Sequence, residues 1–352
     1  MAEDFKPVLW WSIGSLVFLL LLVVLTLSVP GLKKTPVKRG GKTVSAKEFF
    51  TADQYKRLYT GKYDPNNPPP GFQLSVAQAK ELTDAGYDGC TGSDGFANQG
   101  SGPGCFCENA PAARAIFDTQ HSMLQPRNTW SALIGFSPFG LLIVIILLYQ
   151  SAGNPSPYDN LMTNNYFYSL FYAYLTIFLG PASMMFHIGM REFGGWFDSF
   201  SIHLLFGFTL VYNIVRLWMN GGRWLTSTFL GLSAQKWLFL VFFGVSTITV
   251  EIICAPGVVP DARMPFDFII GGIALVFQGI AFGTSKPARS SWLWFLGAGI
   301  IFLAAVIIWV LSWTQKPLCV PDGFQGHAVW HFLCGMGAFF LYMYFRREDS
   351  QA

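Results

Sequence analysis

Eight stretches of the chain run apolar for about twenty residues each, and between them the sequence turns abruptly polar. Their limits fall near 8–29, 129–150, 165–188, 197–219, 234–254, 264–283, 291–313 and 325–345. A hydrocarbon layer about 30 Å thick takes roughly 20 apolar residues in a helix to cross. Lipid offers no partner for backbone N–H and C=O groups, so such a run must satisfy them within its own helix. The pattern therefore predicts an all-α polytopic membrane protein. A seven-helix transmembrane bundle is preceded by one extra N-terminal transmembrane helix and a polar extramembrane segment.

The same pattern divides the chain into a signal-anchor helix (1–30), a polar, cysteine-containing segment (31–127), a seven-helix catalytic core (128–346) and a short cytoplasmic tail (347–352). The run Val8–Val29 is uncharged, its flank MAEDFK is not strongly basic, and no small-residue cleavage site follows it, which favours an anchor over a cleaved signal peptide. Between Pro30 and Arg127, Gly, Pro, Asn and Asp dominate. Good helix formers occur there in SVAQAKEL, so one short helix is expected within 72–86, in a segment that reads as a linker or lid.

Composition agrees with the span pattern, since 52% of the 352 residues are hydrophobic and 12% charged. A net charge of +3, with no basic strip interleaved with aromatics, predicts no nucleic-acid partner. Tryptophans near the predicted span ends, among them Trp196, Trp218, Trp292 and Trp313, fit an interfacial belt. Arg216, Arg223, Lys236, Lys286, Arg289, Arg346 and Arg347 share one side, which the positive-inside rule makes cytoplasmic. Lys33, Lys34, Lys38, Arg39 and Lys42 oppose it, in a segment long enough to weaken the rule. That topology leaves Cys90, Cys105, Cys107, Cys254 and Cys319 on the non-cytoplasmic side, as expected in an oxidising compartment such as the endoplasmic reticulum or Golgi lumen or the cell exterior.

Polar side chains inside or beside apolar spans are costly, which makes the few present here functional candidates. Ser183 and His187 are spaced i, i+4, as are His327 and His331, so each pair shares a helix face. Span parity puts His187, Asp198, His327 and His331 at the same membrane face. Taken singly, each of these residues also fits a buried inter-helical hydrogen bond. Together, three imidazoles with an open fourth position match a catalytic zinc site, with His187, His327 and His331 as ligands. Asp198 could then orient a ligand or shuttle a proton, and the Ser183 hydroxyl could donate to a developing oxyanion. His203, one turn into the fourth span, reads as a satisfied core histidine, and His121 as a solvated one. Glu251 and Asp267 read as span-end residues that snorkel to the interface. Gly194-Gly195 and Gly271-Gly272 lack any phosphate-binding fingerprint and read as sites of helix breaking or close packing.

The sequence Ser183-Met-Met-Phe-His187, followed by Asp198 eleven residues on and by His327-Ala-Val-Trp-His331 at the start of the last span, resembles the alkaline ceramidases and the wider membrane hydrolase superfamily that includes them. The resemblance covers about residues 105–346. It implies a zinc ion on His187, His327 and His331, roles for Ser183 and Asp198 in hydrolysis, and a lipid amide substrate. Ceramide would be cleaved to a sphingoid base and a free fatty acid. Cys107-Glu108-Asn109 and Asn128-Thr129 resemble the segment that in this family carries a calcium site and a paired cysteine, which implies a Cys107–Cys319 disulfide. A calcium ion on Glu108 and Asn109 is not expected. The acidic cluster is thinned, Gln125 stands about where a glutamate belongs, and calcium takes several more oxygen ligands than these two supply. Two other functions would keep the same histidines: a receptor or sensor resembling the adiponectin receptors, and an ester hydrolase that remodels lipid anchors.

Overall fold

The computed structural model describes residues 2–28, 35–59, 75–85, 87, 116–117, 123–164, 166–189, 192–219, 228–229, 232–254, 263–284, 289–312, 318 and 325–347. Helix α1 (Ala2–Ser28) is followed by a hairpin of β1 (Lys38–Arg39) and β2 (Lys42–Thr43) and by short helices α2 (Ala46–Phe49), α3 (Ala52–Tyr59) and α4 (Val76–Asp84). The bundle comprises α5 (Pro126–Ser151), the short α6 (Leu161–Asn164), α7 (Tyr166–Gly189) and α8 (Glu192–Met219), then a second hairpin, β3 (Thr228–Phe229) with β4 (Leu232–Ser233). It continues through α9 (Ala234–Cys254), α10 (Arg263–Thr284), α11 (Arg289–Leu311) and α12 (Gly326–Arg347).

Seven helices among the described residues are long and apolar enough to cross a membrane, and the described apolar stretch of α10 covers Ile269–Ala281. The all-α membrane architecture expected from the sequence is thus present. The fourth span begins earlier than its apolar run indicates: α8 starts at Glu192, which places Asp198 nearly two turns inside the helix rather than at its start.

Helix α7 lies at the centre of the bundle. It packs against α5 on one side and α8 on the other; α12 joins α5 to α11, while α9 and α10 lean on α8, and α1 lies across α5 and α7. Aromatic side chains fill the interior between these helices, with Tyr172, Phe208, Tyr212, Phe239 and Phe345 fully buried and Tyr172 donating its hydroxyl proton to the Ala338 carbonyl at 2.8 Å. Pro181 lacks the N–H that would bond Ile177 O inside α7, and the Ser137 hydroxyl of α5 supplies a donor to that carbonyl at 3.0 Å. Helices α10 and α11, at the two ends of this series, are not packed along each other among the described residues, and both present exposed aliphatic side chains such as Ile273, Val276, Leu296 and Ile300.

The polar segment is more than a linker. Gly40 and Gly41 hold φ of +58° and +82°, the two-residue turn whose twist suits a hairpin. Glu48 accepts from both the backbone N–H and the hydroxyl of Ser45 at 2.8 and 2.7 Å, fixing the start of α2. Helix α4 appears where SVAQAKEL predicts one, whereas the hairpin, α2 and α3 are additions to the sequence expectation. Val37, Val44, Phe49, Phe50, Leu82 and Tyr87 from these pieces form one apolar cluster with Phe186 of α7 and Trp309 of α11, and Trp330 of α12 packs against it. The described pieces of the segment therefore form a cap seated on the ends of three core helices.

Helices α5 and α12 meet at backbone distance through Gly135 and Gly335. A Cβ at position 335 would lie 1.9 Å from Gly135 O, and one at position 135 would lie 2.7 Å from the His331 carbonyl carbon. Overpacking of this kind typically costs about 1–3 kcal/mol or more. Gly335→Ala is expected to lower the thermal midpoint by several degrees and to displace His331. Gly299→Ala on α11, where an added methyl meets nothing within 4 Å, is expected to leave the midpoint unchanged or raise it. Differential scanning fluorimetry of both variants in detergent checks the contrast, and equal midpoints would contradict the close-packing account.

Candidate metal centre

Three buried histidines from two helices converge at the cap end of the bundle. His187 stands in the last turn of α7, and His327 and His331 occupy the first two turns of α12, so one helix ends where the other begins. One ligand atom from each lies within 4.8 Å of the others. His187 Nε2 and His327 Nε2 are 3.2 Å apart, and Ser183 Oγ, one turn before His187, is 3.4 Å from His331 Nε2. Zn–N bonds of about 2.0–2.1 Å in a tetrahedron put two ligand nitrogens about 3.3 Å apart. The observed spacing matches that value.

The hydrogen bonds behind the rings decide which nitrogen faces the centre. The chain entering α5 runs along the C-terminal end of α7, where Leu124 N–H donates to Ile188 O at 2.9 Å and Gln125 N–H to His187 O at 3.1 Å, satisfying carbonyls that a helix end leaves open. Gln125 then turns its side chain back, and its Oε1 lies 2.6 Å from His187 Nδ1. An amide oxygen can only accept, so the ring proton sits on Nδ1 and the Nε2 lone pair points inward. On α5, the Ser131 hydroxyl donates to Asn128 O at 3.0 Å, so its oxygen accepts from His331 Nδ1 at 2.9 Å. His331 is thereby fixed in the same tautomer. Two metal-competent lone pairs are oriented by outer partners, a common way of fixing histidine ligands.

Among the described residues no Cys, Asp or Glu, and no further His, joins this group. The donor set fits zinc, with three imidazole nitrogens and a fourth position left for a small ligand. It does not suit calcium, which takes six to eight oxygens. The structure thus brings Ser183, His187, His327 and His331 together. The Asp198 carboxylate is not among the ligand atoms gathered there; its residue lies in the second turn of α8, beside Phe197, which packs with Met184, Met185 and Ile188. Cys107, Cys319, Glu108, Asn109 and His121 fall outside the described residues, as does the side chain of Asp267. Cys334 is a free, buried thiol, and no disulfide occurs among the described residues.

Gln125 and Ser131 carry no spacing relation to the histidines that they order. The only available signal was an amide and a hydroxyl flanking the start of a span, which polar loop residues also supply. Glu251 departs from its expected snorkelling: its Oε1 lies 2.7 Å from His203 Nδ1, with the two side chains 12% and 2% exposed. His203 is buried in the core and bonded there through Nδ1. Gly194 serves close packing, since a Cβ there would lie 2.9 Å from Phe186 Cα.

Searches against family models, curated proteins and solved structures find no match to the chain.

Losing an outer partner of a metal-ligating histidine typically weakens the metal about 10- to 100-fold. Gln125→Leu and Ser131→Ala are each expected to weaken zinc binding by that factor while retaining the helical fold. Competition with a chromogenic chelator measures the affinity and circular dichroism the fold; wild-type affinity in both variants would show that the outer bonds do not order the ligands.

Proposed function

We propose that the chain is a zinc-dependent lipid amide hydrolase acting on ceramide or a closely related N-acyl lipid. The observation that carries the reading is the tri-histidine cluster with Ser183 Oγ 3.4 Å from His331 Nε2. Structural zinc sites close all four positions with protein ligands, whereas three histidines and an adjacent hydroxyl leave room for a reacting group. That distinction favours hydrolysis over a purely structural metal in a receptor. Bound zinc supplies Lewis acidity and lowers the pKa of a coordinated water to about 7.

The chain's own residues do the remainder. Ser183 donates its hydroxyl proton to the amide oxygen as negative charge builds on it, which is where a preorganised donor contributes most. Asp198 manages the proton that passes from water to the departing amine. Hydrolysis breaks the acyl C–N bond, adds the hydroxyl of water to the acyl carbon and its proton to the nitrogen, and releases a long-chain base and a fatty acid. The cap over Phe186, Trp309 and Trp330 covers the end of the bundle that carries the site. The apolar flanks of α10 and α11 then offer the acyl chain a lateral route from the bilayer. We place the site near the non-cytoplasmic face of an endomembrane or plasma membrane, the side on which span parity is expected to leave the cysteine-containing segment, and propose a Cys107–Cys319 disulfide there.

Purified full-length protein in lipid nanodiscs, given a panel of labelled ceramides and phospholipid esters and read by mass spectrometry, is expected to release fatty acid and long-chain base from ceramide. His327→Ala and chelation are expected to abolish release. Ser183→Ala is expected to lower kcat about 10²- to 10³-fold with little change in KM. Undiminished turnover without zinc would overturn the mechanism, and turnover confined to the esters would reassign the substrate.

A further inference from the structure

One hollow in the molecule is lined by none of the histidines. It is a groove of about 420 Å³ between α8 and α9, lined by Trp196, Phe200, Phe243, Thr247 and Glu251 together with Gly244 and the aliphatic Ile248 and Ile252. None of these residues belongs to the histidine cluster. The volume falls in the range of about 300–1,000 Å³ that holds small amphiphiles. Ile248 and Ile252 are exposed on the outer surface of α9, as are Val241 and Val245, so the groove opens toward lipid.

Polar groups unusual for such a place lie buried just behind its apolar lining. Glu251 bonds His203 through Oε1, but Glu251 Oε2 is buried without a hydrogen-bond partner, as are the Thr247 hydroxyl one turn away and the Trp196 indole nitrogen. Buried polar groups are nearly always satisfied, and an ionisable side chain kept inside a span marks a functional site by default. The terminal torsion of a glutamate is broad, so a small rotation turns Oε2 toward the groove.

We propose that this groove binds a single-chain amphiphile with a protonated primary amine, its alkyl chain along Ile248 and Ile252 and its ammonium on Glu251. An ammonium supplies the donors that Oε2 and the Thr247 oxygen accept, and aromatic walls formed by Trp196, Phe200 and Phe243 favour a cation over a neutral head. A fatty carboxylate of the same length would meet the Glu251 charge and be rejected. The site is separate from the metal centre and stands whether or not hydrolysis occurs there.

The test uses the full chain in phosphatidylcholine nanodiscs and three probes of equal length, dodecylamine, dodecanol and dodecanoate, each also made with a diazirine at the chain end. A charge-assisted hydrogen bond corresponds to about 10- to 100-fold in affinity, so dodecylamine is expected to bind at least about 10-fold tighter than either analogue. Its cross-links are expected on α8 and α9. Glu251→Gln is expected to reduce the preference to less than about 2-fold. Gly244→Leu, at a position where an added Cβ meets nothing within 4 Å, is expected to fill the groove and remove binding of all three. His327→Ala is expected to leave binding unchanged, which separates this site from the hydrolytic one. Equal binding of the three probes would mean that lipid chains merely fill the groove. That result, cross-links on other helices, or undiminished amine binding in Gly244→Leu would each overturn the proposal; should Glu251→Gln fail to fold, the Gly244→Leu result decides.

Discussion

His187 Nε2 and His327 Nε2 stand 3.2 Å apart inside an apolar bundle, the separation of two nitrogens that share one zinc ion, and the His187 lone pair is held on that side by the bond behind its ring. That constraint organises the rest of the structure around the site. His187 is held by Gln125 from both directions, through its carbonyl and through Nδ1, and His331 is held by Ser131, so neither ring can move its proton to Nε2 without losing a buried hydrogen bond. The helices carrying these groups are held at a fixed distance by the Gly135–Gly335 contact, where even a methyl group does not fit. Outer hydrogen bonds, helix packing and ligand geometry thus form one connected arrangement.

The cap completes it. A site at a helix end would ordinarily face water, and water both screens charge and competes for an open coordination position. Here Phe49, Phe50 and Leu82 press onto Phe186 and Trp309, with Trp330 between the two α12 histidines packed against the same cluster. Arg39 and Glu81 tie the hairpin to α4 at 2.7 Å on the outer side of the cap, where solvent screening keeps the contribution of such a pair small. The apolar contacts beneath it, rather than this ion pair, hold the cap in place.

Much of this was legible in the chain. Long apolar runs disclosed the spans because lipid permits few alternatives, and the i, i+4 pairs Ser183/His187 and His327/His331 disclosed the cluster because helical spacing puts each pair on one face. The cap was not legible: Val37, Val44, Phe49 and Phe50 follow no single period, and their partners Phe186 and Trp309 lie more than a hundred residues away. Gln125 and Ser131 were hidden for a similar reason, since Ser131 and His331 are 200 residues apart and only the folded bundle pairs them. Glu251 looked interfacial because it stands near a span end, and its pairing with His203 depends on how α9 leans on α8, which local sequence does not encode.

X-ray absorption spectroscopy on the purified full-length protein, reconstituted with one equivalent of zinc, tests the central claim most directly. Zinc on His187, His327 and His331 predicts three imidazole nitrogens and one further light atom at about 2.0–2.1 Å, with no sulfur at about 2.3 Å. A sulfur shell, or a spectrum unchanged by His331→Ala, would contradict it.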